Sequence, residues 1–112
     1  MLAFTSKGLA KETTYTKELF DKALSDGKVV VVSSWVKYCT SCSSQMKVLD
    51  KAKNDFDNIE YFKFDVTNKE IANFFNVQYQ TTLLIFKDNK EVYRSLGETS
   101  KALIYKALES SI

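Results

Sequence analysis

Val29-Val30-Val31-Val32-Ser33-Ser34-Trp35-Val36 restricts the fold of this chain more than any other segment, because it is apolar and β-branched without alternating. A strand with one wet face would alternate. An unbroken run is expected of a strand covered on both faces, at the centre of a sheet with helices above and below. The flanking sequence supplies those helices. Thr16 can cap a helix in which Leu19, Phe20, Ala23 and Leu24 face inward, and Gly27 follows its last turn. After the valine run, Met46, Leu49, Ala52 and Phe56 recur at helical spacing among charged residues. Ile59 to Val66, with Tyr61, Phe62 and Phe64, reads as a second core strand, and Asn68 can cap a short helix through Ile71, Phe74 and Phe75. The four phenylalanines Phe62, Phe64, Phe74 and Phe75 are expected in the core. Thr82–Lys87 and Glu91–Leu96, joined by Asp88-Asn89-Lys90, predict a β-hairpin. Gly97 ends it, and Thr99 or Ser100 starts a last helix with Leu103, Ile104, Ala107 and Leu108 inward. The order α, β, α, β, α, β, β, α predicts one α/β domain over residues 1–112, a central mixed sheet flanked by helices in three layers. Residues 1–12 read as an extended lead-in.

A chain of 112 residues can bury a core without disulfide staples, so its two cysteines are not a scaffold. The net charge of +2, with both signs interleaved, gives no concentrated field for nucleic acid or an anionic membrane. No stretch approaches the roughly 18 to 20 apolar residues of a membrane span. With no histidine, the Ser/His and Cys/His nucleophile pairs are absent, together with the imidazole metal ligand. Proline is absent too, where average usage would give about six in a chain this long.

Both cysteines lie in Cys39-Thr40-Ser41-Cys42, where the buried strand ends and the amphipathic helix begins. At i and i+3 on a first helical turn the two sulfurs fall on one side, within the Cα separation of ~4.4 to 6.8 Å that a disulfide tolerates. The amide groups and dipole of the helix end favour a thiolate, so Cys39 is expected to be the nucleophile with a lowered pKa. Cys42, deeper in the helix, suits the thiol that resolves a mixed disulfide. A zinc site would need four ligands, and the chain has no further cysteine. The competing readings are an inert pair and a pair that bridges two chains through a metal or Fe–S cluster.

The segment Ser34-Trp35-Val36-Lys37-Tyr38-Cys39-Thr40-Ser41-Cys42 resembles the active-site stretch of the thioredoxin family, and from Tyr15 to Leu108 the element order matches that fold. Lys63 and Asp65 fall where the family's third strand carries a lysine and a later acid, and Gly97 matches the glycine after the hairpin. Asn76 to Lys87, with Lys90-Glu91-Val92 and Gly97-Glu98-Thr99, resembles a branch of exported bacterial thioredoxin-like proteins. The resemblance implies a thioredoxin-like fold and a thiol:disulfide oxidoreductase needing no cofactor. Its partners would be proteins with disulfides or dithiols and an upstream thiol electron donor. No nucleic acid, no membrane insertion and a monomeric state are expected. Met1 to Lys7 show no basic segment followed by an apolar one, yet a mature exported protein would look the same, so the branch tilts the expectation toward the periplasm.

The departures from the family fall around the cysteines. Thr40-Ser41 replace the usual Gly-Pro, so the redox potential does not carry over. Ser33 stands where the family has a buried aspartate that accepts the resolving thiol's proton; a hydroxyl is a poor base, leaving Lys63 and solvent to assist. Thr81 replaces the cis-proline, which predicts a trans Gln80–Thr81 bond, since cis before a non-proline costs ~2.5 to 4 kcal/mol. Its N–H or hydroxyl could then donate to the Cys39 thiolate. Trp35 either shapes the substrate surface or caps the core, and Tyr38 either packs beside the thiolate or stands exposed before the helix. Lys37 and Lys47 read best as solvated charges.

Overall fold

The computed structural model describes residues 13–112; the expected lead-in over 1–12 lies outside them. In chain order the elements are β1 (Thr13–Thr14), α1 (Lys17–Ser25), β2 (Val29–Trp35), α2 (Thr40–Asp55), β3 (Ile59–Asp65), α3 (Lys69–Phe75), β4 (Thr82–Lys87), β5 (Lys90–Leu96) and α4 (Lys101–Ser111). The strands form one mixed sheet in the order β1-β3-β2-β4-β5. β1, β3 and β2 run parallel, while β4 lies antiparallel to both β2 and β5.

The valine run is the central strand, and alternate residues feed two separate cores. Val30 and Val32, with Phe62, Phe64 and Leu84, pack against Phe20 and Ala23 of α1 and Ala72 and Phe75 of α3. On the opposite face Val29, Val31, Tyr61, Leu83 and Ile85 meet Leu49 and Ala52 of α2 and Ile104 and Leu108 of α4. The four expected strands and the expected caps are close to those observed: the Thr16, Asn68 and Ser100 hydroxyl or amide oxygens accept from the backbone N–H three residues on.

Three of the residues expected inward do not face the core. Leu19, Phe74 and Leu103 are exposed, whereas their neighbours Phe20, Phe75 and Ile104 are buried. One residue along a helix turns the side chain by about 100°, which carries it off the narrow stripe that a flat sheet can cover. Phe74 packs edge-on against Phe20 and Phe75, with the Lys17 ammonium 5.5 Å above its ring. The hairpin turn is also shorter than expected: Lys90 pairs with Lys87, leaving only Asp88 and Asn89, with φ 54° and 66°, as a two-residue turn. β1 was not expected, and it sets the outer edge of the sheet beside β3.

Candidate functional site

β2 delivers the site to the upper rim of the sheet, and α2 starts there after a bend through Val36, Lys37 and Tyr38. Tyr38 takes a left-handed backbone, φ 63°, which lets the chain turn sharply into the helix. Cys39 is the N-cap of α2, and its Sγ accepts from the Cys42 N–H at 3.1 Å. The two cysteines are joined in a disulfide with Cα atoms 5.3 Å apart. Cys39 is half-buried at the surface, while Cys42 is 3% exposed. Cys42 is thus the more buried of the two, as its place deeper in the helix implies.

Thr81 closes the site from the other side. It is buried, its backbone is left-handed at φ 60°, and every described peptide bond is trans, Gln80–Thr81 included. Its Oγ1 lies 3.1 Å from Cys42 Sγ, 3.5 Å from Cys39 Sγ and 2.9 Å from Ser41 Oγ. Of the two donors expected there, only the hydroxyl faces the sulfurs. The Thr81 N–H donates instead to the Ser34 carbonyl at 2.9 Å, because the residue still pairs with the end of β2 as an edge of the sheet would.

Ser33 is buried, but its hydroxyl shares a 2.9 Å hydrogen bond with the Tyr61 hydroxyl from the neighbouring strand. It is thereby held as a link between β2 and β3. Trp35 is half-buried, with the Lys63 ammonium 5.5 Å over its ring, so the tryptophan both covers the sheet end and faces the site. Together with Val36, Tyr38, Cys39, Cys42 and Met46 it lines an open depression of about 560 Å³ beside the disulfide. Tyr38 does not pack on the sulfur; its side chain is 99% exposed. Thr40 and Ser41 are exposed on the first turn of α2, and Ser41 Oγ approaches Cys39 Sγ at 3.5 Å. Lys37 and Lys47 are exposed. The Asp65 carboxyl is held below its ordinary pKa, first by the Thr67 hydroxyl and N–H, with Lys37 adding a smaller attraction.

Two polar residues near the site escaped the sequence reading. Gln45 is fully buried on α2, and its amide N–H group donates to the Glu98 carbonyl at 2.8 Å and to the Thr81 carbonyl at 3.4 Å. A polar residue three positions after Cys42, on the stripe that continues through Leu49 and Ala52, was the available signal. Ser34 donates to the Tyr79 carbonyl at 2.8 Å and accepts from the Thr82 N–H at 3.0 Å, which fixes the loop carrying Thr81. Gly97, at φ 82°, adds an N–H to the Thr81 carbonyl at 2.8 Å. Among the described residues, no group of three carboxylate, thiol or imidazole side chains is arranged to hold a metal ion.

Residues 11–110 match the family model described as Thioredoxin. The thioredoxin of Mycobacterium tuberculosis is 34% identical over 91 residues, 80% of this chain and 78% of the relative. Thioredoxin-1 of Saccharomyces cerevisiae is 29% identical over 89 residues, 79% and 86% of the two chains. Among solved structures, the crystal structure of Trxlp from Edwardsiella tarda superposes with a TM-score of 0.80 at 28% identity, covering 88% of this chain and 98% of the other.

Proposed function

The chain belongs to the thioredoxin family and is a thiol:disulfide oxidoreductase, and on that premise we propose that Cys39 attacks protein disulfides while Cys42 resolves the product. One observation carries the assignment: Cys39 is the half-buried cap of α2, whereas Cys42 is shut behind it. In the reduced protein a Cys39 thiolate would keep the Cys42 N–H as a donor and gain the favourable end of the helix dipole. Attack on a substrate disulfide joins Cys39 to one substrate sulfur and releases the other as a thiolate. Cys42 then displaces the bound sulfur, re-forming the Cys39–Cys42 bond and completing a two-electron reduction of the substrate. A thiol donor upstream returns the electrons. The apolar and aromatic depression formed by Trp35, Tyr38 and Met46 supports an unfolded or extended protein segment as the substrate. The resemblance of Asn76–Lys87, Lys90-Glu91-Val92 and Gly97-Glu98-Thr99 to a branch of exported bacterial thioredoxin-like proteins supports a site of action outside the cytoplasm.

Cysteine variants test the assignment. Cys42→Ser should accumulate mixed disulfides with partner proteins and Cys39→Ser none, and in the reduced wild type Cys39 should be alkylated first at neutral pH. Faster modification of Cys42, or trapping by the Cys39→Ser variant, refutes the division of labour.

A further inference from the structure

The resolving step requires Cys42 to lose a proton, and among the described residues no carboxylate is hydrogen-bonded to its sulfur. Ser33, at the place of the family's buried acid, is committed to Tyr61. The Ser34 carbonyl lies 4.0 Å from Cys42 Sγ and can accept a weak S–H bond, but a carbonyl cannot pass a proton on. One polar group is closer: the Thr81 hydroxyl, 3.1 Å from Cys42 Sγ and 2.9 Å from the hydroxyl of Ser41, which is exposed. These two hydroxyls form a continuous chain from the buried sulfur to solvent.

We propose that Thr81 and Ser41 carry the Cys42 proton to water and that Thr81 then holds the thiolate. In the mixed disulfide the Cys42 S–H donates to Thr81 Oγ1, Thr81 donates to Ser41 Oγ, and Ser41 donates to solvent. One shift along the chain moves a proton from each donor to the next acceptor and delivers a single proton to water. The hydrogen now on Thr81 is the one that left sulfur, and it points back at the thiolate. The thiolate attacks Cys39 Sγ, the Cys39–substrate bond breaks, and its electron pair leaves on the substrate sulfur, which takes a proton from water. Each hydroxyl ends with one hydrogen, as it began. Hydrogen bonds in such a chain strengthen one another, and a donor to a charged acceptor is worth more than a neutral one.

The backbone supports the role. Left-handed φ is an outlier for a β-branched residue and persists only where neighbours over-determine it, commonly at working sites. At Thr81 the neighbours do so: its N–H is held by Ser34, and its carbonyl by Gly97 and Gln45, so the hydroxyl is fixed over the sulfurs. Gln45 is a positioning residue in this scheme, since it touches Thr81 and neither sulfur within hydrogen-bond range.

The inference rests on Cys39 attacking and Cys42 resolving, and a two-phase reaction separates the two claims. Reduced protein mixed with 5,5′-dithiobis(2-nitrobenzoate) releases one thionitrobenzoate when it is attacked and a second when the mixed disulfide is resolved. Phase one reports the attacking thiol and phase two the resolving one. Thr81→Val, which keeps the shape, should slow the second phase about tenfold at pH 7 and raise its pH midpoint by about one unit, with the rates converging at alkaline pH. Thr81→Ser should restore the wild-type profile. The exposed Ser41→Ala, which leaves the core untouched, should shift the midpoint in the same direction by less. A second phase in Thr81→Val that is unchanged, or slowed equally at all pH values, overturns the relay, and an unshifted Ser41→Ala profile removes Ser41 from it. Peptide mapping that finds the thionitrobenzoate of the mixed disulfide on Cys42 instead condemns the division of labour.

Discussion

Tyr38 holds its ring in solvent on a left-handed backbone immediately before the attacking cysteine. That conformation costs a non-glycine residue roughly 1–2 kcal/mol, and no burial of the ring offsets it within the molecule. Tyr38→Asn, which tolerates the conformation better, should therefore leave the urea-unfolding midpoint unchanged or raise it by up to about 1 kcal/mol in stability. The same variant should raise KM for a protein disulfide while leaving the reaction with a small disulfide unaltered. A loss of stability would overturn the strain argument, and an unchanged KM would remove the substrate-facing role. The cysteines were legible because their spacing and their place after a buried strand already fix their geometry. The neighbours were less legible: Ser33 meets Tyr61 across 28 residues and Ser41 meets Thr81 across 40, and no local pattern encodes such pairings. Thr81 could be singled out from the resemblance, but which of its two donors faces sulfur depended on the path of the loop.

At the scale of elements, strands and caps were readable because burial on two faces and oxygen-bearing cap residues leave direct marks in the sequence. Helix facing was readable only to within one residue, since Leu19, Phe74 and Leu103 are as apolar as the neighbours that are buried. Contacts between helices were not readable at all. Tyr105 of α4 donates its hydroxyl to Asp55 at the end of α2, 2.6 Å away. Partial burial first, then the hydrogen bond and charge of Asp55, push the Tyr105 phenol up to about 12. A raised folded-state pKa favours the protonated phenol, so this contribution is intact below the unfolded value near 10 and is lost as pH rises from about 10 to 12. Between pH 9 and pH 11 the urea midpoint of the wild type should therefore fall by more than that of Tyr105→Phe, whose α4 cannot make the bond. Equal falls would show that the tether contributes nothing.

For the whole molecule, the two cores share the inner strands β3, β2 and β4, and neither has a sheet of its own. Unfolding of one face strips the other, so the chain should behave as a single cooperative unit. Trp35, the one tryptophan, reports the site end of β2, and far-ultraviolet circular dichroism reports all the helices. Their thermal transitions should coincide within error, and an earlier Trp35 transition would reveal a site that melts alone. The sheet's two borders differ in a way that bears on how concentrated a solution of this protein can become. β5 presents Lys90, Glu91 and Arg94 along its border, charges that discourage another copy from zipping onto it. On the opposite border, among the described residues, Thr13 and Thr14 pair with Phe62 and Lys63, and the Tyr15 N–H donates to the Lys63 carbonyl. Behind that cover lies the backbone edge of Tyr61-Phe62-Lys63-Phe64, an aromatic stretch interrupted by one cation. A charge inside such a run disfavours fibrillar growth from an open edge, so Lys63→Val, which removes the cation beside Trp35, should lower the concentration at which the protein begins to aggregate, as light scattering would read.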